Sequence, residues 1–250
     1  KHVLYRSDNN MPLGIVSDNY KVLQPGEVLE FFRDVTGYEL ETAGTLFGGR
    51  RFWGLARVSA DDYIMDKADT VGGYLLLSTS CDGTLATEAR MTTVRVVCNN
   101  TLSLARSMGK AAFKSKHKSI FDASKAKDAL GLNKTEIEET FATAMDNFRK
   151  MARNRVTQND MVKMTLELFG YDTENMSGEE FEKAKRKPLV SNVGTLAVTG
   201  RDLIGANLAG GNGTTWAWLN AVTQYVDHMA RTKSESHRLD SAWFGKGDDL

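Results

Sequence analysis

The chain has 250 residues, 41% of them hydrophobic, and 32 basic side chains balance 32 acidic ones. That is enough apolar chain to bury a core, and a formal net charge of +0 gives no global basic character that would point to nucleic acid. Two cysteines, Cys81 and Cys98, exclude a disulfide framework, and no apolar run approaches the roughly 18 residues of a membrane span. With no signal peptide visible, a cytoplasmic setting is expected. The charge is unevenly spread: between Thr101 and Val156, twelve basic residues stand against six acidic ones, a local excess of +6.

In chain order, Pro12–Ser17 is a short apolar run closed by an Asp18-Asn19 turn signal. Gln24–Val35 predicts a helix: Pro25 suits its first turn, Glu27 suits the positive end of the dipole, and Val28, Phe31, Phe32 and Val35 share a face. Glu41–Val58 reads as a hairpin closed on Gly48-Gly49. In its second strand Phe52, Gly54, Ala56 and Val58 point one way, small and apolar, toward a core. Arg51, Trp53, Leu55 and Arg57 point the other way, an unusual mixture for a purely solvated face.

Val71–Met108 predicts a strand, a tight Asp82-Gly83 turn, a second strand over Thr84–Val97 and a capped helix. Arg90 and Arg95 are an odd number apart, so a bulge near Thr92-Thr93 is expected to put both on one face and to send Met91, Val94 and Val96 to the other. The helix is expected to start at Asn99-Asn100-Thr101, with Leu102, Ala105, Met108 and Ala112 recurring along it. Lys110, Lys114 and Lys118, every fourth residue, would form its solvated stripe. Further helices are predicted over Ser119–Leu130, Lys134–Arg155, Gln158–Phe169 and Thr214–Arg231, with Tyr171–Lys187 a mobile connection or short helix. Strands followed by helices argue for one α+β domain over residues 1–250, an antiparallel hairpin sheet with helices packed on one face. Its hairpin sheet and first helix occupy 36–108, a mainly helical region 109–187 and a C-terminal helical region 188–250.

The residues offer little catalytic chemistry. His2, His117, His228 and His237 are scattered, and no Cys-x-x-Cys or His-x-x-x-His pair exists, so no metal or other cofactor is expected. No Gly-x-Ser-x-Gly is present, and Cys98 lies in a strongly apolar run where cysteines are inert packing residues. The glycine-rich loop LAGGNGTT, Leu208–Thr215, precedes a helix and could cradle a phosphate, but it lacks the Walker lysine, and the favoured reading is a flexible loop with a threonine cap at Thr214. An enzyme reading has only the acidic loop with Asp61, Asp62, Asp66 and Asp69, and acidic loops are usually just solvated. A non-enzymatic protein is therefore expected. The basic residues are the better site candidates, because single strands are held by positive grooves with aromatic rings for stacking. Arg50, Arg51, Trp53 and Arg57 on one strand, Arg90 and Arg95 on a neighbour, and Lys110, Lys114 and Lys118 would build such a track.

The hairpin ETAGTLFGGRRFW, the strand YLLLSTSCDGT, the segment RMTTVRVVCNNTLSLA and the closing WLNAVTQYVDHMAR and RLDSAWFG resemble the phage/plasmid-like proteins of unknown function, over nearly the whole chain. That resemblance implies residues preceding Lys1 in the family, an intracellular role, and a setting in mobile DNA; it implies no catalytic residues. A weaker, architectural likeness is to the β-β-β-α core of Rad52-type single-strand annealing proteins. It implies a cofactor-free, oligomeric protein that holds single-stranded DNA by its backbone. The expected function is thus single-stranded DNA binding for annealing or recombination. The rival is a phage or plasmid interaction protein, anti-defence or structural, using the Trp53/Leu55 face or the Trp243-Phe244 tail.

Overall fold

The segment TVGGYLLLSTS, Thr70–Ser80, lacks the polar–apolar alternation of a half-solvated strand, which is the pattern of a strand covered on both faces. In the computed structural model this segment is the central strand, and every residue from Val71 to Ser80 is buried. The structure describes residues 1–31, 33, 37–95, 100–103, 113–118, 122, 125 and 134–238.

A two-stranded hairpin comes first, β1 (His2–Tyr5) with β2 (Pro12–Val16). A short helix, α1 (Pro25–Glu30), leads into the main sheet. That sheet has seven strands: β3 (Leu40–Leu46), β4 (Arg51–Arg57), β5 (Asp62–Tyr63), β6 (Thr70–Ser80), β7 (Thr87–Arg95), β8 (Asn100–Ser103) and β9 (Phe113–Ser115). They run antiparallel in the order β3-β4-β6-β7-β8, with β5 also beside β6 and β9 also beside β7. The turns follow their chemistry. Gly48 and Gly49 take φ of 71° and 100° between β3 and β4, and Gly83 takes φ 78° while the Asp82 carboxylate accepts from the Thr84 N–H and hydroxyl.

Register fixes the two faces. Ala56 lies opposite Leu75 and Leu75 opposite Met91; Gly54 lies opposite Leu77 and Leu77 opposite Ala89. This face is covered by Phe31, just beyond α1, and by Ile137 and Phe141 of α2 (Lys134–Arg153). The expected inward set Phe52, Gly54, Ala56 and Val58 is on it. Gly73 permits the helix to approach: a Cβ there would stand 2.5 Å from the Ser59 hydroxyl and 2.8 Å from the Phe141 ring. On the other face Leu55, Tyr74 and Leu76 form a second cluster with Trp53 and Val94. Each leucine so buried contributes roughly 1.5–3 kcal/mol.

Three expectations are corrected here. The ladder between β6 and β7 is regular through Thr92 and Thr93, so no bulge exists there; Arg90 stands opposite Leu76 and Arg95 opposite Val71, on opposite faces, as are Met91 and Val94. The helix expected from Asn99 is replaced over Asn100–Ser103 by strand β8, because the Thr92–Arg95 backbone offers a ladder that overrides a local helical spacing. Lys114 consequently lies on strand β9, and Lys118 in the turn after it, not on a helix stripe; Lys110 lies outside the described residues. Val96, Cys98, the stretch Ser119–Leu130 apart from Asp122 and Lys125, and the Trp243-Phe244 tail also lie outside them.

The remaining helices are α3 (Gln158–Leu168), α4 (Gly178–Lys185), α5 (Pro188–Thr199) and α6 (Thr215–Gln224), the last running into a π-turn at Tyr225–Met229. Of the two readings of Tyr171–Lys187, the short helix is realised as α4, started by a Ser177/Glu180 capping box. Helix α5 was not expected, although Pro188 at its first turn and Gly200 at φ 65° after its end are its start and stop signals. Helix α6 is buried all round. Its Trp216 and Leu219 meet Ala144, Met145 and Phe148 of α2, while Ala217, Ala221 and Val222 meet Val193 and Ala197 of α5 and Met161 of α3. No helix among the described residues is long and apolar enough to cross a membrane.

Trp216 is 0% exposed, and its indole N–H donates to Asp69, also 0% exposed, at 3.2 Å. Trp216→Ala is therefore expected to lower the stability measured by urea unfolding by about 3–5 kcal/mol. A loss below about 1 kcal/mol would mean that the site collapses without cost and that α6 is not the centre of the core.

Candidate nucleic-acid interface

One end of the sheet gathers the start of β4, the end of β6, the start of β7 and the end of β9, through the register pairs Arg51–Ser80, Ser78–Glu88 and Thr87–Ser115. The Cys81 N–H donates to the Arg50 carbonyl at 2.7 Å and holds the β6–β7 turn beside Arg50. Beyond β9, the Lys21 N–H donates to the His117 carbonyl at 2.8 Å, which brings the β2–α1 connection to the same edge. The His117 ring bridges the Lys21 carbonyl, 3.0 Å from Nδ1, and the Leu85 carbonyl, 3.1 Å from Nε2. A ring protonated on both nitrogens satisfies both acceptors; a neutral ring satisfies one. Tyr20 stacks on this ring with centroids 4.6 Å apart, and its hydroxyl donates to the Ser80 carbonyl at 2.8 Å.

Around this knot stand Arg50, Lys21, Lys114, Lys116 and Lys118, all exposed. Among the described residues none of the five enters an ion pair. The acidic groups near them are Glu88, opposite Lys114 in the ladder, and Asp82, whose carboxylate is engaged by Thr84. Arg51 completes the row, lying 5.4 Å over the Phe47 ring and donating to the Thr84 hydroxyl at 3.3 Å.

The expected arginine track is thus divided. Arg50, Arg51, Lys114 and Lys118 come together. Arg57 is at the far end of β4, about 20 Å away at the strand rise per residue. It pairs with Asp61 and with Glu41 at 3.7 Å and sits over the Tyr74 ring, so a phosphate would have to compete with two carboxylates. Arg90 is 4% exposed and cannot reach an external phosphate without rearrangement. Arg95 pairs with Val71 and Asn100 at the other end of β7, away from this end of the sheet. Trp53 is half-buried; its indole fills the space above Gly44, where a Cβ would be 2.7 Å from the ring, so it supports the hairpin. Sequence reasoning missed Tyr20, Lys21, Lys116 and His117. The lysines at 114, 116 and 118 fit strand spacing as well as helical spacing, and nothing local links them to Tyr20 and Lys21.

The alternative chemistries have lost their groups to structure. In the glycine-rich loop the N–H groups of Gly211, Gly213 and Thr215 donate to Leu208, Ala197 and Asn154 carbonyls. Thr214 caps α6 as expected, accepting from the Ala217 N–H at 3.0 Å. In the acidic loop Asp61 pairs with Arg57, Asp62 with Arg149 at 2.6 Å, Asp66 accepts from the Ala68 N–H, and Asp69 holds Trp216. Among the described residues no cluster of histidine, cysteine or carboxylate groups suits a metal. The Cys81 thiol is pushed up by burial and then by Asp82, the wrong direction for a nucleophile.

Burial is also the main cause that pushes the Tyr20 phenol up to about 12. A tyrosine in an unfolded chain ionises near 10. The folded state therefore favours the neutral phenol, so this contribution to stability is complete below about pH 10 and is lost as pH rises toward 12. In an ultraviolet absorbance titration a late phenolate signal is expected, and Tyr20→Phe should reduce it by one tyrosine, since burial raises the phenols of Tyr38 and Tyr74 too. An unchanged late signal in that variant would mean that Tyr20 is not held at the sheet end.

No curated protein and no solved structure matches the chain. Residues 12–243 match the family described as Domain of unknown function (DUF932), a stretch that runs from β2 through the sheet and every helix to α6 and beyond. On a match of that extent, the chain belongs to the DUF932 family.

Proposed function

We propose that this protein binds single-stranded DNA along the basic row at the end of its sheet, as a phage- or plasmid-encoded, oligomeric annealing or recombination protein. The observation that carries the reading is the set of exposed cations without ion-pair partners among the described residues, Arg50, Lys21, Lys114, Lys116 and Lys118, ordered around the Tyr20–His117 stack. Surface lysines without ion-pair partners among the described residues can displace the counterions condensed on a phosphate backbone, and no rearrangement of buried charge is needed first. The spending of carboxylates, thiol and loop N–H groups on internal contacts suits a protein that holds a strand without chemistry. The likeness to phage/plasmid-like proteins favours DNA over other polyanions.

A second reading has its own observation. On the β1–β2 hairpin Val3 lies opposite Ile15, and Tyr5 is two residues along; they are 59%, 70% and 62% exposed. An apolar face of this kind suits a protein partner. The partner surface first considered, Trp53 and Leu55, is not available, because Leu55 is buried and Trp53 half-buried.

Fluorescence anisotropy of a labelled single-stranded oligonucleotide at several salt concentrations tests the first reading. Affinity is expected to fall steeply with salt. The triple variant Lys21→Gln, Lys116→Gln, Lys118→Gln should reduce the slope of log K against log salt by about 2, at roughly 0.7 per phosphate contact. An unchanged slope would remove these lysines from the site, and no binding by folded protein at low salt would sink the DNA reading in favour of the hairpin and a protein partner.

A further inference from the structure

Far along the chain from the basic row, a pocket of about 390 Å³ opens over α4 and the connection that precedes it. That volume is within the range of small-molecule sites, roughly 300–1,000 Å³. Its floor is apolar: Tyr171, Met176 and Ala184 pack against the cluster of Val162, Leu166 and Val190 from α3 and α5. Its rim carries Lys183, in the last turn of α4, and Lys187, at the start of α5.

Two carboxylates also line the pocket; both stay ionised, but each is held by hydrogen-bond donors of its own loop. Asp172 accepts from the side chain and backbone N–H of Asn175, and Glu180 from the hydroxyl and backbone N–H of Ser177. These hydrogen bonds hold both groups below the usual carboxylate range, side-chain donors contributing most. Among the described residues neither Lys183 nor Lys187 enters an ion pair, whereas Lys185 between them pairs with Glu182 at 3.8 Å. The Lys187 ammonium sits 4.3 Å from the centre of the Tyr171 ring and donates to its hydroxyl oxygen. The Tyr171 O–H keeps its own proton to donate to another acceptor.

We infer that this pocket binds a small amphipathic acid, its carboxylate held by Lys183, Lys187 and the Tyr171 O–H and its apolar body laid on Met176 and Ala184. Two lysines and a tyrosine line the same pocket as an apolar floor, so neither an inorganic anion nor a neutral hydrocarbon uses the whole site. The adaptable thioether of Met176 suits a ligand body of variable shape.

Titration of the full chain with the fluorescent aromatic sulfonate 1-anilinonaphthalene-8-sulfonate tests this. A saturable fluorescence rise is expected, reversed by octanoate and not by the same concentration of inorganic phosphate. The exposed double variant Lys183→Met, Lys187→Met should weaken binding about tenfold or more, the effect of losing charged hydrogen-bond donors. Its thermal midpoint should match the parent protein; if the double variant does not fold, the single variant Lys183→Gln takes its place with the same expected direction. No saturable rise, a variant that binds as the parent does, or displacement by phosphate but not by octanoate would each overturn the assignment.

Discussion

Everything in the sheet depends on β6 being buried on both of its faces along ten consecutive residues. A strand in that position must have its N–H and C=O groups paired on both edges, which β4 and β5 do on one side and β7 on the other. It must also be covered above and below, which requires two separate apolar layers. The layer with Leu75 and Leu77 receives α1 and α2; the layer with Tyr74 and Leu76 is built from Leu55, Trp53 and Val94. Because side chains alternate with period two, this single requirement decides the facing of each residue in β4 and β7, arginines included.

A second constraint is set by α6. A helix apolar on one side only could lie on the outside of the sheet–helix assembly, but α6 is buried all round and has to be enclosed. It is wedged between α2 on one side and α3 with α5 on the other. The buried Asp69–Trp216 hydrogen bond fastens it to the β5–β6 turn, whose backbone is in turn closed by the Ile64 N–H on the Asp69 carbonyl. A carboxylate so deeply placed is costly unless it is hydrogen-bonded, which makes its indole partner more than a packing residue.

Two groups of cations play different parts. The planar, many-donor guanidinium groups of Arg6, Arg57, Arg149 and Arg155 are used internally, on carboxylates and backbone carbonyls. The lysines of the sheet end, compact charges on flexible stems, remain at the surface without partners among the described residues. A charged surface of this type acts through counterion release and is screened within about 10 Å at 0.1 M salt, so its function would be sensitive to ionic strength in a way that buried Arg90 is not.

The sequence by itself determined the class of the fold and many of its parts. The hairpin turns at Gly48-Gly49 and Asp82-Gly83, the two faces of β4, the long helix α2 and the Thr214 cap were all legible, because each rests on short-range sterics or on a clear period in the chain. The facing of Arg90 and Arg95, the strand β8 where helical spacing was read, and the place of the lysines at 114 and 118 were decided by tertiary structure alone. Those features depend on which distant backbone offers a ladder and on which layer must be covered, and a local pattern carries no record of either. The grouping of Lys21 with Lys116 and Lys118 is of the same kind: about a hundred residues separate them in sequence, and only the backbone pairing of Lys21 with His117 makes them neighbours.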